Sequence, residues 1–177
     1  MPTDVERAIH DYFLKHDLFF QTQVDDYLKW MPFAAVAVAD LRGVRTHSSW
    51  RKQVLIAVLT EAIRYFIANG LKNVTKERRP VPNFDKRSFP SGHSSASFSA
   101  AQFMHHELRE SLPVMSCAGY ACAITTGIFR LMKNRHWLKD VLAGMAIGWL
   151  SAKFAFLFVK WCSSKMRSSE PKQIEAY

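Results

Sequence analysis

The sequence predicts an all-α, membrane-embedded bundle of about five or six helices, formed by a single domain over residues 1–177. Three observations carry that expectation. Leu112–Phe129 and Val141–Val159 are two apolar runs close to the roughly 18–20 residues a membrane helix needs, the second broken only by Lys153. Residues 53–71, QVLIAVLTEAIRYFIANGL, form a third strong helix, expected to end near Asn69-Gly70. No stretch of any length alternates as a strand does.

In chain order, residues 4–20 read as an amphipathic helix, with Val5, Ile9, Tyr12, Phe13 and Phe19/Phe20 at helical spacing and charges such as Glu6 between them, within an N-terminal segment 1–22. Such a helix lies in a membrane interface or packs on the bundle. No signal-peptide pattern opens the chain, because acids come early and no continuous apolar stretch follows. Asp25 and Asp26 precede a short helix around Pro32, flanked by Tyr27 and Trp30. With no third carboxylate nearby, the paired acids are not read as a metal or acid/base site.

Gly43–Lys52 is a basic loop in which Ser48 or Ser49 could cap the next helix. Glu61 and Arg64 share a helix face, so in a membrane they must pair or turn inward. Residues 76–88 are rich in Lys, Arg and Pro, and Pro80, Pro82 and Pro90 forbid a helix through them. Ser94–Met104 is a helix of small residues suited to close packing, and HHELRESLP is expected to turn, with His105 and His106 on the surface. Gly144 and Gly148 form a helix-contact pair in the last apolar run, and residues 161–177 read as a polar tail that frays.

Composition narrows the partners. The chain holds 24 Lys and Arg against 15 Asp and Glu, a net charge of +9, which suits phosphorylated substrates, acidic headgroups or nucleic acid. Its mean hydropathy of −0.10 is low for a membrane protein because polar loops dilute the apolar runs. Three cysteines, Cys117, Cys122 and Cys162, sit in apolar runs with no CxxC or Cys/His pairing, so they read as core or lipid-facing residues, not a disulfide framework or zinc site.

Three polar clusters interrupt the apolar sequence between Lys72 and Asp140: Lys72-x6-Arg79-Pro80, Pro90-Ser91-Gly92-His93 and Arg130-x5-His136-x3-Asp140. Arginine offers phosphate a planar, permanently charged fork, which Arg79 and Arg130 supply, and Lys72 adds a point charge just past a helix end. Ser91 and Gly92 precede a helix start, where free N–H groups face an anion and a residue without a Cβ permits close approach. Asp140 lies four residues after His136, on the same face if the helix has begun, where a carboxylate can orient the imidazole.

These clusters, in this order and spacing, resemble the three-part signature of the PAP2 (type 2 phosphatidic acid phosphatase) superfamily over roughly residues 50–160. The third cluster of that family usually opens Ser-Arg, whereas here Phe129 precedes Arg130. The resemblance implies that His136 is the nucleophile and His93 the general acid of a phosphatase working through a phosphohistidine. Lys72, Arg79, Ser91, Gly92 and Arg130 would bind the phosphate, and Asp140 would serve His136. It implies neither metal nor cofactor, since the cations carry the electrostatics. The expected partners are a phosphorylated lipid and the bilayer rather than nucleic acid, with phosphatidic acid, phosphatidylglycerol phosphate, undecaprenyl diphosphate and lipid A phosphates as candidates. The expected location is an inner or plasma membrane with the site facing away from the cytoplasm. A soluble acid phosphatase or vanadium haloperoxidase of the same superfamily is disfavoured by the apolar runs. A non-catalytic binder of anionic headgroups is disfavoured by the presence of both histidines and Asp140.

Overall fold

The computed structural model describes residues 2–15, 23–80 and 87–169. Among these the chain forms seven helices and no strand: α1 (Asp4–Lys15), α2 (Val24–Leu28), α3 (Met31–Leu41), α4 (Trp50–Thr75), α5 (Gly92–Leu108), α6 (Pro113–Met132) and α7 (Leu138–Ser169). The short helix expected around Pro32 is in fact two. Pro32 has no N–H to bond the Leu28 carbonyl, so it takes a first-turn position in α3 and the chain turns at Lys29-Trp30.

Helix α5 is the hub, packing against α3, α4, α6 and α7. Its small side chains make that possible: Ser94, Ser95, Ser97, Ser99, Ala100 and Ala101 are all fully buried. The expected glycine contact face is present. A Cβ on Gly144 would lie 2.5 Å from the Ser91 carbonyl oxygen, and one on Gly148 would lie 2.1 Å from that of Ser95. Only glycine admits backbone this close, so α7 is set against α5 in one register, and the two helix starts meet at one end of the bundle. The Ser91 N–H donates to the Asp140 carbonyl at 2.9 Å there. At the opposite end the His47 N–H donates to the Glu107 carbonyl at 3.1 Å, so α4 and α5 run antiparallel.

Glu61 and Arg64 pair on the inner face of α4. The Arg64 Nε–H donates to Glu61 at 2.9 Å, and the Ser99 hydroxyl donates to the other Glu61 oxygen at 2.7 Å. The apolar side chains Val58 and Phe66 of α4, and Leu150 and Phe154 of α7, are each more than half exposed, turned outward. Helices α4, α6 and α7 are long and apolar enough to cross a membrane, and with this apolar exterior the protein is an integral membrane protein. Lys153, the charge within the last apolar run, lies 4.4 Å over the Trp149 ring.

Several boundaries differ from the sequence reading. Helix α4 continues through Gly70, whose missing Cβ faces open space, and stops where Lys76 takes a left-handed conformation (φ 47°). Lys72 is therefore inside the last turn, not beyond the helix end. Helix α5 continues through His105-His106-Glu107-Leu108. These histidines are half-buried rather than on the surface, because the His106 ring stacks on Phe156 at 3.6 Å and extends the packed face by a turn. Helix α7 likewise runs on from residue 160 to Ser169 instead of fraying there. The cysteines are free, with Cys117 exposed and Cys122 and Cys162 half-buried, which fits a lipid-facing place better than a core one. Phe19, Phe20, Pro82 and the residues after Ser169 lie outside the described residues.

Candidate active site

The start of α5 carries the predicted anion cradle. Ser91 is its N-cap and is fully buried, with its hydroxyl accepting from the Ser94 N–H at 3.3 Å. The serine thus shapes the helix start. Gly92, the first helical residue, has nothing within 4 Å of where a Cβ would stand, so no side chain blocks the approach to the first turn. The His93 side chain follows, 26% exposed.

His136 comes to this cradle from the turn between α6 and α7. That turn is tight because Asn134 adopts φ 50°, and it leaves His136 only 4% exposed. Asp140, fully buried, sits in the first turn of α7. Its Oδ2 accepts from the Trp137 N–H at 2.9 Å, a capping-box contact that starts the helix, and from the Ser88 hydroxyl. The same oxygen stands 3.6 Å from His136 Nδ1, close enough to orient the ring electrostatically but long for a hydrogen bond. Nδ1 faces the carboxylate, so Nε2 is the ring nitrogen turned away from it. Burial, opposed by Asp140 and reinforced by the guanidinium groups of Arg130 and Arg79, pushes the His136 pKa down to about 4.

The cations are individually held. Arg130, in the last turn of α6, lies within electrostatic reach of both His93 and His136. Phe129, half-buried just ahead of it, accepts at its carbonyl from the Lys133 N–H at 2.9 Å. Arg79 donates from Nη1 to the Arg135 carbonyl at 3.4 Å, beside the His136 turn. Lys72 donates to the carbonyls of Pro90 at 2.6 Å and Arg87 at 3.0 Å, which ties the segment entering the cradle to α4. The structure thus gathers His93, Arg130, His136, Asp140 and Arg79 at the end of the bundle where α5 begins, with Lys72 behind the cradle's backbone.

Helix α2 adds what the sequence did not reveal. Asp25, buried completely, accepts from Arg130 Nη1 at 2.9 Å and from the Lys133 ammonium. Burial alone would raise its pKa, but the hydrogen bonds from Lys133 and Arg130 outweigh that and hold the carboxyl below the usual range. Asp26 accepts from His93 Nε2 at 2.6 Å and from Lys29 at 2.9 Å, contacts that hold its carboxyl well below the usual range. The acid pair, read from the sequence as neither a metal nor an acid/base site, thus stands against His93 and Arg130. Helix α1 closes the other side. Glu6 accepts from the Lys139 N–H at 3.0 Å, capping α7, and His10 Nδ1 lies 2.7 Å from the Asn134 side-chain oxygen. Of its apolar face, Ile9 and Phe13 line a small pocket with His136, while Val5 and Tyr12 point outward. Among the described residues no group of three or more His, Cys, Asp or Glu could hold a metal ion.

Known proteins share this architecture. The chain is 33% identical over 138 residues to the lipid A 1-phosphatase of Porphyromonas gingivalis, an alignment covering 77% of this chain and 31% of that protein. It is 27% identical to the lipid A 4'-phosphatase of Helicobacter pylori, covering 77% of this chain and 68% of that one. The chain thus spans less than a third of the first relative and about two thirds of the second. Two crystal structures have the same fold at 18% identity. A transmembrane PAP2-type phosphatidylglycerolphosphate phosphatase from Bacillus subtilis matches with a TM-score of 0.64, covering 89% of this chain and 88% of that one. Aquifex aeolicus LpxE matches with a TM-score of 0.61, covering 86% and 93%. Residues 53–164, which include all three polar clusters, match the PAP2 superfamily, and the chain belongs to that family.

Proposed function

We propose that this protein is a metal-independent phosphatase that hydrolyses a phosphate monoester on a membrane lipid, of the lipid A type, through a phosphohistidine on His136. The observation that carries the reading is the buried, neutral His136 between Asp140 and the Arg130 and Arg79 guanidiniums, at the open start of α5. Nε2 of His136 attacks phosphorus, and the bond to the lipid oxygen breaks. His93 gives the departing oxygen its proton, then takes one from the water that hydrolyses the phosphohistidine, and phosphate leaves. The arginines and the N–H groups of α5 stabilise the charge on the transferring group. If His93 donates from Nε2, Asp26 must yield its hydrogen bond, and a phosphate ester entering the cradle competes for it.

The lipid A assignment rests on what the two relatives are called, and it is checked by phosphate release from purified protein in detergent containing EDTA. Lipid A phosphates should be hydrolysed faster than phosphatidic acid, phosphatidylglycerol phosphate or undecaprenyl diphosphate. Release from none of them, or only after adding Mg²⁺ or Zn²⁺, would overturn the reading.

We place the site on the side of an inner or plasma membrane facing away from the cytoplasm. The opposite end carries Arg42, Arg45, Arg51, Lys52, Arg109 and Lys160 on short segments, of the kind retained in the cytoplasm. The site end is as basic, but its motif cations serve phosphate. A reporter fused after Arg167 should be active as a cytoplasmic reporter and silent as an exported one, and the reverse result would put the site inside.

A further inference from the structure

A second cavity, of about 780 Å³, opens at the other end of the bundle, between the starts of α4, the end of α5 and the last third of α7. Asp140 and Lys160 are twenty residues apart on α7, so the two sites are separated by about 30 Å, the thickness of a bilayer's hydrocarbon core. The cavity is cationic. Lys52, Arg109 and Lys160 line it, and among the described residues no carboxylate does. Lys52 and Lys160 make no ion pair among the described residues, and Arg109 reaches only Glu110, at 3.9 Å. Glu107, the nearby buried acid, does not line the cavity and accepts from the Ser48 N–H at 2.8 Å.

The rest of the wall is of two kinds. Ser49 and Ser163 present hydroxyl groups, and His106 presents a ring whose Nδ1 has no partner. Ile56 and Phe156 supply an apolar floor, continued outward by Leu157, which is 59% exposed on the membrane-facing side of α7. Trp50 and Trp161, 60% and 58% exposed, flank this end as interfacial aromatics do.

We propose that this cavity binds the phosphate-bearing headgroup of an anionic lipid in the leaflet opposite the active site. The cations and hydroxyls take the headgroup oxygens, and the acyl chains follow the apolar flank of α7. Two lysines with no ion pair among the described residues, beside Arg109, favour an anion, and an apolar exit beside them fits an amphiphile better than free phosphate. This site is independent of the proposed phosphatase activity.

The test is native mass spectrometry of the full chain in detergent with dioleoylphosphatidylglycerol, a phosphodiester that a monoester phosphatase does not consume. Vanadate is added to occupy the catalytic end. Wild type should retain phosphatidylglycerol over phosphatidylcholine. Lys52→Gln/Lys160→Gln should weaken retention by about tenfold or more, while Lys52→Arg/Lys160→Arg keeps it. Both lysines are exposed, so the substitutions leave the packed bundle intact. Equal retention by wild type and the Gln variant would overturn the proposal, as would displacement of the lipid by millimolar inorganic phosphate.

Discussion

Replacing His136 with alanine should lower turnover by at least about 10⁴-fold while leaving vanadate binding largely intact. The division follows from the geometry. In the proposed mechanism Arg130, Arg79 and the N–H groups of α5 supply the charge that holds the anion, whereas His136 Nε2 makes the new bond. The pH dependence gives the same residue a second readout. Its ring is neutral, and so nucleophilic, down to a pKa of about 4 rather than the usual 6.5. The acid limb of the wild-type rate should therefore fall near pH 4. The sign for stability is the same. Between the two values the unfolded chain binds the proton and the folded one does not. The contribution is thus complete above about pH 6.5 and is lost as pH falls toward 4. Near-normal turnover in His136→Ala, or an acid limb near 6.5, would remove His136 from the nucleophile's role.

Asp25→Ala should be the most damaging change outside the motifs. It strips Arg130 and Lys133 of a fully buried carboxylate, and breaking such a pair costs about 3–5 kcal/mol of stability. Arg130 would also lose the contact that aims its fork, so turnover should fall with thermal stability. Because a phosphate-like anion offers Arg130 the missing charge, vanadate should raise the melting temperature of Asp25→Ala more than that of wild type. Melting curves with and without vanadate check this. A variant as stable and active as wild type would show that Asp25 neither holds Arg130 nor matters to the site.

How much of this was legible in the sequence depends on the range of the interaction. Local signals read well. His136 and Asp140 meet four residues apart although α7 begins only at Leu138, Ser91 and Gly92 announce a helix start, and Gly144 and Gly148 mark a contact face that the structure fills with α5 backbone. The spacing of Glu61 and Arg64 gave their pairing. Contacts across the chain left no local trace. Asp25 meets Arg130 across 105 residues, Asp26 meets His93 across 67, and Ser88 reaches Asp140 across 52. An acid pair ahead of a short helix is ambiguous until the fold shows which cations it faces. Glu6 looked like one charge on an amphipathic helix, yet it caps α7. Helix ends were misread where tertiary contacts override local breakers. Gly70 did not stop α4, and the ring of His106 on Phe156 carries α5 one turn past its expected end.

The most direct test of the account is to trap the covalent intermediate. The protein is mixed with a ³²P-labelled lipid A phosphate, quenched rapidly in alkali and digested. The account predicts alkali-stable, acid-labile label on the peptide carrying His136 in wild type, and none in His136→Ala. Turnover with no protein-bound label, or label on any other residue, would contradict it.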